Sequence, residues 1–236
     1  MKLRRSLLLA SCLVCACASA PAQGTFQNLA FESAKLVPLS GGLYDFNQAF
    51  PGWAGYIAGV PTGVGDYNNL NLDGAGFSII DSNYSNGLGL PSGLIQGMYT
   101  AVLMGGISGL NQPSDATLAQ TSLVPVTAQS LQFKAQFVGF SPSASFNVTL
   151  DGTTLSLIPL ASGTNYTLYG ADISAWAGQT ADLAFTAIAE RPHFNADYLF
   201  LDAIQFSDQR TPEPGVLSLS FLGALVLGWR ALRRRP

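Results

Sequence analysis

Apolar and polar residues alternate along the second half of the chain. In Leu131-Gln-Phe-Lys-Ala-Gln-Phe137 the apolar side chains take every other position, with Gln132, Lys134 and Gln136 between them. A period of two marks a strand with one buried face. Phe146-Asn-Val-Thr-Leu150 alternates in the same way, Asp151-Gly152 is a two-residue hairpin signal, and Thr153–Ile158 returns. Asn165–Tyr169, Leu183–Ala189 and Tyr198–Phe206 are further predicted strands, and Asp172-Ile-Ser-Ala-Trp-Ala-Gly178 reads as a capped helical turn ended by glycine. The first half is looser. Strands are expected at Phe26–Glu32, Trp53–Ala58, Phe77–Asp81, Tyr99–Met104 and Thr117–Leu123, with Gly/Asn-rich loops at Asp66–Gly76 and Asn83–Gly97. Many short strands separated by turn signals predict an all-β fold, an antiparallel β-sandwich.

Composition agrees with strands and turns. Charged residues make up 11% of the 236, against roughly 25% in a typical soluble domain. Gly, Asn, Ser and Thr supply the polarity instead. The bases cluster at the ends. Between residues 23 and 214 all 14 acidic residues face only Lys35, Lys134, Arg191 and Arg210. Such a stretch excludes nucleic acid as a partner, since phosphate contacts need clustered Lys and Arg.

Both ends read as targeting segments. Lys2, Arg4 and Arg5 precede an apolar run, Ser6–Ala18, and Ala20-Pro-Ala22 supplies small residues for cleavage before Gln23. That is a signal helix, residues 1–22, implying Sec export and signal peptidase as partners. Cys12, Cys15 and Cys17 all lie inside it, so the mature chain is expected to hold no cysteine. The rival is lipoprotein processing at one of those cysteines. At the other end Pro212, Glu213 and Pro214 precede Val216–Trp229, which is apolar, and then Arg230, Arg233, Arg234 and Arg235. The apolar run, about 15 residues, spans roughly 22 Å as a helix, short of the ~30 Å hydrocarbon core. Trp229 at an interface and a cytoplasmic arginine stop decide for a short transmembrane-type helix rather than a buried one.

The tail, residues 209–236, resembles the PEP-CTERM sorting signal over residues 211–236, in the order of motif, apolar helix and arginine cluster. The resemblance implies recognition by an exosortase-type transpeptidase, membrane anchoring before processing, and delivery to the cell surface or extracellular matrix. The passenger, residues 23–208, resembles over residues 25–207 the galactose-binding-like jelly rolls of carbohydrate-binding modules. The residues that carry this are Asn28-Leu-Ala-Phe-Glu32, Pro51-Gly-Trp53, Asp172-Ile-Ser174 with Ala177-Gly-Gln179, and Leu201-Asp-Ala-Ile-Gln-Phe206. It implies extracellular polysaccharide as a ligand.

No catalytic device is legible. His193 is the only histidine and sits in a loop, Glu190-Arg-Pro-His-Phe-Asn195. There is no Gly-x-Ser-x-Gly elbow, and Asp73, Asp81 and Asp151 read as turn residues. One carboxylate is out of place. Asp202 shares its parity with Phe200, Ile204 and Phe206, so a regular strand aims it at the face they bury. Such a group must bulge outward, take hydrogen bonds, or bind a cation. The jelly-roll resemblance implies a structural Ca²⁺ between an acid of the first strand and one of the last, and Glu32 and Asp202 match those positions. The expectation is a noncatalytic surface or matrix protein whose sandwich binds glycan. The alternatives are a secreted carboxylate-dependent glycoside hydrolase and a purely structural surface passenger.

Overall fold

The computed structural model describes residues 26–85, 93–108, 112–140, 144–189 and 196–211. The signal region, Pro212-Glu213-Pro214, the apolar run, Arg230, Arg233, Arg234 and Arg235, and His193 lie outside the described residues. Among the described residues no helix is long and apolar enough to cross a membrane.

The strands are Tyr44–Asp45 (β1), Ala54–Ile57 (β2), Val60–Pro61 (β3), Val64–Tyr67 (β4), Gly76–Ile80 (β5), Thr100–Ile107 (β6), Pro113–Ser114 (β7) and Ala116–Leu123 (β8). Then come Ser130–Val138 (β9), Ser145–Leu150 (β10), Thr153–Thr154 (β11), Ile158–Ser162 (β12), Thr167–Asp172 (β13), Thr180–Ile188 (β14) and Asp197–Ser207 (β15). They form two sheets. The nine-stranded sheet runs β1-β4-β5-β6-β15-β9-β13-β12, with β7 beside β6, and the six-stranded sheet runs β11-β10-β14-β8-β2-β3. Pairing is antiparallel except between β4 and β5. The Asp151-Gly152 hairpin forms as expected, with φ of 50° and 73° at its two turn residues, the left-handed pair that a two-residue turn demands.

The core between the sheets is aromatic. Phe46, Phe50, Phe77, Phe133 and Phe185 are fully buried there with Leu103, Leu199 and Leu201. Phe133 meets Phe185 edge-on at 5.1 Å, and Phe46 meets Phe77 at 5.2 Å. Each such ring contributes about 1.5–3 kcal/mol by leaving water.

A second apolar layer covers the outer face of β5, β6 and β15. Ile80, Val102, Met104, Ala196, Tyr198 and Phe200 are buried there beneath Leu70, Tyr84 and Ile95, with Val138 at the end of β9 packed beside them. The loop after β4 is fastened across it: Tyr198 Oη donates to the Asn71 carbonyl at 2.8 Å, and Ala196 N–H donates to the Leu72 carbonyl at 3.0 Å. Two adjacent glycines make this stacking close. A Cβ on Gly105 would lie 2.8 Å from the Ala187 carbonyl oxygen of β14, and one on Gly106 would lie 2.4 Å from the Asp73 carbonyl oxygen.

The expected first strand is corrected. Residues 26–32 form no strand: 26–28 are irregular and 29–32 turn, with Asn28 and Phe31 at left-handed φ of 51° and 59°. The segment is instead pinned by its side chains. Phe31 is buried 5.8 Å from Trp53, Trp53 Nε1 donates to the Asn28 carbonyl at 3.2 Å, and Ile204 N–H donates to the Leu29 carbonyl at 2.9 Å.

Candidate functional site

Asp202 is fully buried, on the same outer face as Tyr198 and Phe200. A bulge between Asp202 and Gln205, with Ala203 at φ 48°, then reverses the strand, so Ile204 enters the inner core. The shared parity of Asp202 with Ile204 and Phe206 therefore does not survive; that with Phe200 does. Asp202 Oδ2 accepts from Gln96 N–H at 3.0 Å and from Thr100 Oγ1 at 2.9 Å, and Oδ1 accepts from Ala203 N–H at 2.6 Å. Burial raises its carboxyl to about 7; the three donors oppose the shift and the charge on Glu32 adds to it.

Glu32 reaches the same loop. Both its oxygens accept from Met98 N–H at 3.0 Å. Gly97 lies between the two gripped amides at φ 66°, and a Cβ there would stand 1.8 Å from Glu32 Oε1. Lys134, opposite Asp202 in register, directs its ammonium to Gln96 Oε1 at 2.6 Å and over the Tyr166 ring at 4.5 Å. So the two predicted acids converge within electrostatic reach. Asp202 Oδ1 and both Glu32 oxygens keep lone pairs beyond the bonds they accept. Two such carboxylates fit a hard oxygen-seeking cation. The side chains alone fall short of six oxygens, so carbonyls or water would complete it. Among the described residues no group of three or more His, Cys, Asp or Glu is assembled.

A third acid is tied into the fold. Asp81 accepts from Tyr67 Oη at 2.6 Å, Asn68 Nδ2 at 2.7 Å and Asn83 N–H at 2.8 Å. Burial pushes its carboxyl up, but the donors outweigh that and hold it below the usual range, while the bond to Asp81 raises Tyr67 to about 12. With its donors supplied internally, Asp81 knots the ends of β4 and β5, in line with its reading as a turn residue.

The concave feature of interest is a cavity of about 360 Å³ at the rim of the sandwich, where the chain crosses from β11 to β12. Thr154, Ser156, Asp172, Trp176, Arg210 and Thr211 line it. The turn Ser174–Trp176 presents the half-buried indole, and Asp172 Oδ1 accepts Ser174 N–H at 2.8 Å, which sets that turn. This bond first, and the Arg210 charge after it, hold the Asp172 carboxyl below its ordinary value. Arg210 Nε donates to Gln129 Oε1 at 3.3 Å, Ser130 Oγ donates to the Gln209 carbonyl at 2.7 Å, and Thr211 is buried. The segment 209–211 is thus docked on the sandwich. Sequence reasoning recognised the capped turn but not its role as a wall of a cavity. A tryptophan in a three-residue turn, flanked by small residues, was the available signal.

No family model matches the chain, and no curated protein matches it. Among solved structures, a crystal structure described as being with xylogluco-oligosaccharide is similar over 60% of this chain and 39% of that one, at 10% identity and a TM-score of 0.34. The chain thus spans well under half the length of that protein, and a likeness this slight transfers no ligand.

Proposed function

We propose that this is an exported, noncatalytic cell-surface or matrix protein whose β-sandwich binds glycan. The observation that carries the reading is the rim cavity, with the Trp176 ring beside an ionised acceptor, Asp172, and a cationic donor, Arg210. A sugar ring needs that combination: an apolar face to cover its C–H groups and polar groups to meet its hydroxyls. The signal region and the Pro212-Glu213-Pro214 tail with its arginines support export and exosortase-type sorting, with the membrane as a transient anchor. Glu32 and Asp202 would hold Ca²⁺, which would neutralise the pair and fix the 95–98 loop as a structural ion, without a part in chemistry.

The test is a panel of polysaccharides offered to the full chain in detergent, with bound glycan and released reducing ends both measured. Binding without release is expected. Release would replace the reading with a carboxylate-dependent glycoside hydrolase, and neither binding nor release would leave a structural passenger.

A further inference from the structure

We propose that the Trp176 cavity selects a single neutral pyranose residue and discriminates against uronic acids. This rests on the glycan-binding reading above and names the ligand class of that same site. The cavity, about 360 Å³, lies at the small end of ligand pockets, which run from about 300 to 1,000 Å³. It therefore suits one ring rather than a run of them.

Its charges are balanced. Asp172 and Arg210 are its one acid and one base, near enough that the arginine helps hold the carboxylate ionised. Asp172 accepts from both the backbone N–H and the side chain of Ser174, and its two oxygens keep further lone pairs as acceptors. A carboxylate can only accept, so it requires hydroxyl donors on the ligand. Arg210 can only donate, and a hydroxyl meets that demand as well. A neutral sugar with vicinal hydroxyls satisfies both while its C–H face covers the indole. A uronate satisfies Arg210 but brings a second negative charge beside Asp172, a like-charge repulsion that screening at this exposed rim moderates without removing. The stretch as a whole, with 14 acids against four bases between residues 23 and 214, repels an anionic polymer before it arrives.

The experiment titrates the full chain, in detergent, with neutral gluco-, galacto- and manno-oligosaccharides and with oligogalacturonate. Wild type should bind at least one neutral series more than about tenfold tighter than the uronate. Trp176→Ala should lose that binding and Trp176→Phe should keep most of it. Asp172→Asn retains the oxygen that caps the turn. It should weaken neutral binding about tenfold or more, the worth of a hydrogen bond to an ionised group, and narrow the gap to the uronate. Melting temperatures within a few degrees of wild type certify each variant. Uronate binding as tight as neutral binding overturns the class assignment while sparing the glycan reading. Neutral binding indifferent to Trp176 and Asp172 overturns the site. No binding by any glycan overturns the glycan reading itself.

Discussion

Asp202 and Glu32 grip amides two residues apart in one loop: Asp202 takes Gln96 N–H at 3.0 Å and Glu32 takes Met98 N–H at 3.0 Å. Asp202 titrates at about 7 when folded, against about 3.9 in an unfolded chain. Between roughly pH 4 and 7 the folded state binds the extra proton, so this group's contribution falls as pH rises through that window and is constant above it. In chelator, wild type should lose melting temperature from pH 5 to pH 8, and Asp202→Asn should flatten that loss. Ca²⁺ should raise the melting temperature more at pH 8 than at pH 5, because it competes with the proton. Equal melting with Ca²⁺ and chelator at pH 8 removes the cation from the site. An unaltered pH slope in Asp202→Asn removes the proton.

Gly97→Ala should destabilise through two effects, a left-handed φ of 66° and a Cβ overlapping Glu32 Oε1. The backbone effect alone is worth about 1–2 kcal/mol. In a domain of this size each kcal/mol lowers the melting temperature by about 2–4 °C. Glu32→Ala relieves the overlap but not the dihedral. The double variant should therefore be less destabilised than the sum of the singles; strict additivity would mean that the two residues do not touch.

Gly105→Ala drives a methyl against the backbone of β14, 2.8 Å from the Ala187 carbonyl oxygen, where no side chain can step aside. The expected cost is about 1–3 kcal/mol, as for other overpacked cores. Gly63→Ala is the control. Its Cβ meets nothing within 4 Å and its φ is not left-handed, so stability should be unchanged or rise by about 0.4–1 kcal/mol through the unfolded chain. Equal losses in thermal unfolding of the two variants would contradict the close approach of the sheets.

Ending the chain after Thr211 should leave the melting temperature of the full chain intact, since the sorting tail is expected to serve delivery rather than folding. Ending it after Ser207 should lower it by several degrees, through loss of the Ser130–Gln209 and Gln129–Arg210 bonds and the burial of Thr211. A large drop from the first truncation would place Val216–Trp229 in the core.

The sequence was readable where a strand has one wet face. In β9 and β14 buried and open positions nearly alternate, and both strands lie where alternation puts them. In β5 and β6 burial is almost continuous, because the outer layer covers their second face. That erases the period of two and leaves an apolar run of ambiguous type. The two-residue strands β1, β3, β7 and β11 are too short to carry a period. Residues 26–32 carry enough apolar and aromatic positions to mimic a strand, but the left-handed turns at Asn28 and Phe31 are set by tertiary anchors such as Trp53. The convergence of Glu32 with Asp202 was legible in order along the chain, whereas the loop amides between them were not. The rim cavity was invisible for a simpler reason. Its walls come from residues 154–158, 172–176 and 210–211, and no local pattern links them.

The roof formed by Leu70, Tyr84 and Ile95 over β5, β6 and β15 closes the middle of the larger sheet's broad surface. On the glycan-binding reading proposed above, a long polysaccharide strand would find no open apolar plank there, and the rim would offer a notch for one ring. The molecule would meet a polymer at free ends and side branches, fastening like a clip on a frayed edge. In a surface layer such a geometry would tether strands at points and leave their lengths free to slide.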